Sequence, residues 1–211
     1  MFADLKLIVD LICSCVSSFQ KRKSVKKRED IVLGLLETYF LLKDCVEEGK
    51  LLIDEAGPDP IRRIKSMNET LAASTLKQWE VILCRQSRRL GALQEFVVGQ
   101  NHLAVIDPDT QERIKKIVGY KLERTNSLRH IGAALFFRFN LPIANSTEDR
   151  AGYVSVMVGS QSESLEIEKI EQEIRDLRKS LDSFRIVVER LLSNDEITKF
   201  SDEAREKTQF E

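Results

Sequence analysis

The residues whose types could do chemistry together lie in the stretch RTNSLRH, from Arg124 to His130. An arginine and a histidine facing one phosphate could together assist chemistry at it. The guanidinium stabilises charge on the phosphorane while the imidazole moves a proton. On one continuous helix, positions six apart are turned by about 600°, which leaves them roughly 120° out of alignment. The two side chains therefore share a face only where the helix breaks. Without a break, the expected role is a polar helix face with a hydrogen-bonded histidine.

Other groupings point to plainer roles. Glu37, Asp44, Glu47 and Glu48 could be drawn as a di-metal carboxylate set. Such sites in helical bundles need Glu-x-x-His pairs projecting inward, and neither His102 nor His130 follows a glutamate at that spacing. A solvated acidic face is expected. Arg85, Arg88 and Arg89 lie about one turn apart and could hold a phosphate, although salt bridges to a neighbouring helix are the usual outcome. Trp79, in phase with Ile82 and Leu83, reads as core. Cys13, Cys15, Cys45 and Cys84 have neither zinc-knuckle nor redox spacing, which suggests reduced thiols in a cytosolic protein. No phosphate loop, nucleophile elbow or His-Glu-x-x-His occurs, and no metal or cofactor is expected.

The spacing of Arg124 and His130 resembles the Arg-x(4–6)-His pattern of HEPN domains, all-helical modules that include metal-independent ribonucleases. The resemblance covers only RTNSLRH, with Thr125 at the position after the arginine that is usually polar in that pattern. It implies Arg124 and His130 as catalytic residues and RNA as substrate.

A second notable stretch is SSFQKRKSVKKREDIV, where Lys21, Arg22, Lys23, Lys26, Lys27 and Arg28 crowd together. The run could contact an anionic surface or membrane, or form a solvated junction. The first three bases suit the C-terminus of a preceding helix, where the dipole is negative. The last three are unfavourable at the N-terminus of a following one, each costing about 0.3–1 kcal/mol. A tight hairpin at Ser24 is therefore disfavoured. A helix running through the segment, a second helix starting near Glu29 and Asp30, or an anionic partner would avoid the penalty.

These residues sit on helices. The chain has 211 residues, 42% of them hydrophobic, with 33 basic against 34 acidic. It can bury a core, and any charge-driven binding must be local. Nine glycines and four prolines leave few breaks. The periodicity predicts helices over 3–19 (Leu5, Ile8, Ile12, Cys15, Phe19) and 29–55 (Val32, Leu35, Leu36, Tyr39, Leu42, Val46). In AGPDP, Gly57 ends one helix, and Asp59 and Pro60 begin the next. That third helix is predicted from Pro60 to about His102, with Leu71 in its buried stripe and Gly91 or Gly99 as possible bends. A fourth starts after Asp107 and runs to about Phe139. NSTEDRAGYVSVMVGS is read as a short helix in preference to a strand. No segment is apolar enough for a membrane span.

The last long helix has the strongest pattern. Ile167, Ile170, Ile174, Leu177, Leu181, Phe184, Val188 and Leu191 alternate steps of three and four, a coiled-coil-like seam within about 161–192. It could join two chains, with Glu173 and Arg178 as an interchain pair, or pack within one chain, for instance on the long third helix. Beyond Leu192 a short helix or frayed tail is expected. The fold expected is an all-α, elongated bundle of about five long helices. Residues 1–160 would form the bundle and 161–211 the heptad helix and tail, or the whole chain one domain. The function expected is a non-enzymatic, cytoplasmic interaction or scaffold protein that binds a protein partner or itself, with no evident small-molecule site. The alternatives are a peripheral membrane binder using the N-terminal helix and basic run, and a HEPN-like RNA-binding protein or ribonuclease.

Overall fold

At the AGPDP turn, Gly57 adopts φ +67°, the left-handed conformation glycine takes without strain. Its N–H closes on Ile53 O at 2.9 Å. Asp59 then accepts the Arg62 N–H at 3.0 Å, with Pro60 in the first turn of the new helix. A computed structural model of the chain describes residues 2–19, 25–99, 108–139 and 166–210. These form seven helices and, among the described residues, no strand: α1 (Ala3–Phe19), α2 (Val25–Ala56), α3 (Pro60–Lys65), α4 (Glu69–Gly99), α5 (Pro108–Phe139), α6 (Ile167–Glu189) and α7 (Asn194–Thr208). The fold is all-α, and no described helix is long and apolar enough to cross a membrane. The NSTEDRAGYVSVMVGS segment lies outside the described residues.

Five helices close a circuit. α1 packs on α6, α6 on α2, α2 on α4, α4 on α5, and α5 returns to α1; α7 packs on α2 outside that ring. Pairwise contacts give the directions. Trp79 Nε1 donates to Glu55 at 3.2 Å and Gln86 Nε2 to Cys45 O at 2.9 Å, so α4 runs antiparallel to α2. Tyr39 stacks edge-on against Phe184 at 6.3 Å while Arg178 holds Glu47, so α6 is antiparallel to α2 as well. The ring's interior is filled from every member, by Ile8 and Ile12 of α1, Leu35 and Leu42 of α2, Leu93 of α4, Ile114 of α5, and Leu177 and Phe184 of α6.

Four details differ from the sequence expectation. The predicted third helix is two helices, because α3 stops at Lys65 with Ser66 as its C-cap and Asn68 caps a new one. The Asn68 side-chain oxygen accepts the Leu71 N–H and its carbonyl the Ala72 N–H, both at 2.9 Å. Leu71, in that cap's first turn, is 49% exposed and not core. α2 begins at Val25, so Lys26, Lys27 and Arg28 do occupy its first turn. The dipole penalty is offset at Arg28, which donates to Leu191 O at the C-terminal end of α6. Of the two expectations for the C-terminal segment, the structure has the short helix, packed on α2. Glu196 reaches back to the Ser193 N–H at 2.7 Å and hydroxyl at 2.8 Å, and Phe200, Ala204 and Thr208 are buried. With α3 and α7 counted, the described residues form seven helices, against the expectation of about five long ones.

Candidate functional site

The densest polar arrangement joins α2, α4 and α7. Asp44 and Glu48 lie one turn apart on α2, and Arg85 and Arg89 one turn apart on α4, so each pair shares a face. The antiparallel register brings those faces together. Arg89 Nη1 pairs with Glu48 Oε2, and Arg89 Nη2 lies 3.5 Å from Asp44 Oδ2. Arg85 Nε lies 2.9 Å from Glu48 Oε1, close enough for charge pairing but not aligned as a hydrogen bond. From α7, Arg205 Nη1 donates to both Asp44 oxygens at 2.9 and 2.8 Å, its guanidinium 5.2 Å above the Phe40 ring. Lys207 reaches Glu37 at 3.5 Å. Hydrogen bonding to Glu203 on its own helix raises the Lys207 pKa, with Glu37 adding to the effect.

Two carboxylates thus serve three guanidiniums, and Arg89 is only 5% exposed. Glu37, Asp44 and Glu48, expected on a solvated face, are instead half-buried and paired with bases from neighbouring helices, while Glu47 stays exposed and pairs with Arg178. Of the three arginines, Arg85 and Arg89 salt-bridge across the helix pair. Arg88, on the exposed side of α4, also has interactions. Among the described residues, no group of three or more His, Cys, Asp or Glu is placed to hold a metal. The arrangement fixes helix register, and both carboxylates are already engaged. Nothing in the sequence pattern alone showed that these acids and bases meet. The hint was their shared one-turn spacing on separate helices.

The heptad seam lies inside the chain. Ile170, Ile174, Leu177, Leu181, Phe184, Val188 and Leu191 are buried, and Ile167 packs half-buried against the same core. α6 packs chiefly on α1 and α2. Its flanking charges find partners there too. Arg178 makes a two-pronged pair with Glu47 of α2 at 3.1 and 2.7 Å. Glu173 accepts the Phe2 N–H at 2.7 Å and the Ala3 N–H at 3.4 Å, an anion at the N-terminus of α1. Partial burial works to raise the Glu173 carboxyl. The hydrogen bonds and positive charge at the start of the chain outweigh it and hold the pKa below the usual carboxylate range.

Of the basic run, Arg28 is placed by its bonds to Leu191 O and by Glu196 at 3.5 Å. Lys26 and Lys27 lie on α2 with side chains outside the described ones, and Lys21, Arg22 and Lys23 fall outside the described residues. Arg124 and His130 both lie on α5, which is continuous from Pro108 to Phe139, so no break corrects their rotation about the helix axis. Their side chains lie outside the described ones. Thr125, between them, is buried and donates to Lys121 O at 2.9 Å. Compared with protein-family models, curated proteins and solved structures, the chain matches none.

Proposed function

We propose that this protein is a non-enzymatic, cytosolic helical scaffold that works through helix–helix contacts with a protein partner or a second copy of itself. One observation carries the reading: several of its charged side chains tie one helix to another and hold them in register. Arg89, Arg178, Arg205, Lys207 and Glu173 each join two helices, and Lys121 of α5 holds Asp4 of α1 at 2.6 Å. A bundle braced in this way presents rigid outer helix faces, the element that helix-in-groove and bundle contacts use. The heptad side chains already fill the chain's own core, so an oligomer would use other faces. The membrane reading draws less support, since Leu5, Ile8, Val9, Ile12 and Val16 of α1 point into the bundle and leave Leu7 exposed. Native mass spectrometry of the protein isolated at its natural abundance tests the proposal. A stoichiometric complex is expected, and a bare monomer accompanied by RNA cleavage that His130→Ala abolishes would overturn it.

A further inference from the structure

Building on the scaffold reading, we infer that α7 is a displaceable latch, and that the face of α2 beneath it is a docking groove for a basic amphipathic helix of a partner protein. α7 is attached differently from the other long helices. α6 buries six side chains in the core along its length; α7 buries only Phe200, Ala204 and Thr208, a one-residue-wide stripe at steps of four. Phe210, just beyond the helix, packs half-buried on the same core, and charged contacts complete the attachment. Arg205 grips Asp44 and overlies Phe40, and Lys207 reaches Glu37, while Arg28 ties Glu196 near the turn. α7 carries more acids than bases, yet the bases are what it turns towards α2. Glu37, Phe40 and Asp44 recur at steps of three and four on α2, so they form one stripe with an aromatic floor between two acids. With α7 lifted, that stripe stays assembled, because Asp44 is still held from α4 by Arg89 and the ring of five helices does not include α7.

The geometry also states what fits. An occupant needs a large apolar side chain, a small one four residues on, and bases one and three residues after the small one, as in Phe200, Ala204, Arg205 and Lys207. For α7 to lift, the turn between α6 and α7 would have to open. It spans only Arg190–Ser193 and is closed by Leu191 N–H to Val188 O at 2.9 Å and Leu192 N–H to Glu189 O at 3.1 Å. An intramolecular occupant acts at an effective concentration of about millimolar, so a partner helix must bind tightly or act when the latch is weakened.

The test uses the full chain and a labelled peptide of residues 193–210 as the stand-in helix. The chain is prepared as wild type, as the mildly loosened Arg205→Ala/Lys207→Ala variant, and as Phe200→Ala/Arg205→Glu. Circular dichroism and Trp79 fluorescence verify that the ring is intact. Anisotropy should show the peptide binding the loosened chains at least about 10-fold more tightly than wild type. A peptide with Arg205→Glu and Lys207→Glu should lose that binding. In wild type, α7 amides should exchange at least about 10-fold faster than those of α2, reporting local opening. Equal binding of the charge-reversed peptide, no binding to either loosened chain, or α7 exchange only at the rate of α2 would overturn the latch. A dimer whose α7 helices are exchanged between copies would overturn the assignment to a foreign partner. A stoichiometric native complex alongside a failed peptide assay would retire the groove and leave the scaffold reading standing.

Discussion

Replacing Arg89 with methionine separates the charge of this side chain from its packing. The methionine keeps an unbranched, flexible stem in the α2–α4 interface and deletes the guanidinium that pairs with Glu48 and Asp44. Removing one partner from a fully buried ion pair costs about 3–5 kcal/mol, because the other charge is stranded. Here neither carboxylate is stranded. Glu48 keeps Arg85 at 2.9 Å, and Asp44 keeps Arg205 at 2.8 Å. Halving the penalty gives about 1.5–2.5 kcal/mol, which for a chain of this size lowers Tm by about 3–10 °C. Urea unfolding followed by helical circular dichroism would measure it. Fluorescence of the single tryptophan, Trp79, buried elsewhere on the same interface, would show whether both probes melt together, as a two-state reading requires. Asp44→Asn alone and with Arg89→Met completes a double-mutant cycle, with a coupling of at least about 0.5 kcal/mol expected between groups that share a network. An Arg89→Met chain within about 0.5 kcal/mol of wild type, or more stable, would refute the reasoning. It would show that desolvating the guanidinium cancels its pairing, as happens for some buried pairs.

Three further outcomes follow from the same geometry. Because Glu173 has a depressed pKa when folded, its contribution is present above its unfolded value and lost as pH falls below about 5 through the folded value. Glu173→Gln should therefore flatten the acid limb of a stability-versus-pH curve, and a limb identical to wild type would contradict its role at the start of α1. Burial pushes the Cys45 thiol up to about 12 and Cys13 to about 11. Alkylation at pH 8 should label half-buried Cys15 and Cys84 well before Cys45, which should react only as fast as the chain unfolds. The raised thiol pKa values also predict stability lost as pH climbs above about 9. The glycines of α2 and α4 should respond oppositely to alanine. A Cβ at Gly49 would sit 2.8 Å from the buried Phe2 ring and cost about 0.5–2 kcal/mol after the helix-propensity gain. Gly91 has nothing within 4 Å, so Gly91→Ala should stabilise by up to about 1 kcal/mol, both read from urea melts.

What the sequence by itself determined is local. The Gly57 stop, the Asp59–Pro60 start, the Pro108 start of α5 and the stripes of α1, α2 and α6 follow from backbone chemistry and apolar period, which act between residues a few positions apart. The Asn68 cap is equally local, but the apolar phase running through it masks it in the sequence. Tertiary structure decided which stripe meets which. The heptads of α6 fit an interchain seam as well as they fit α1 and α2, because an apolar stripe does not specify its partner. The acids Asp44 and Glu48 became half-buried, paired groups only when the antiparallel register of α2 and α4 set them opposite Arg89 and Arg85. The same holds for Arg28, whose place in an unfavourable helix start is tolerable only because the end of α6, more than 160 residues away along the chain, brings Leu191 O to it. Long-range pairings of this kind depend on the closure of the whole ring, a property no local spacing encodes.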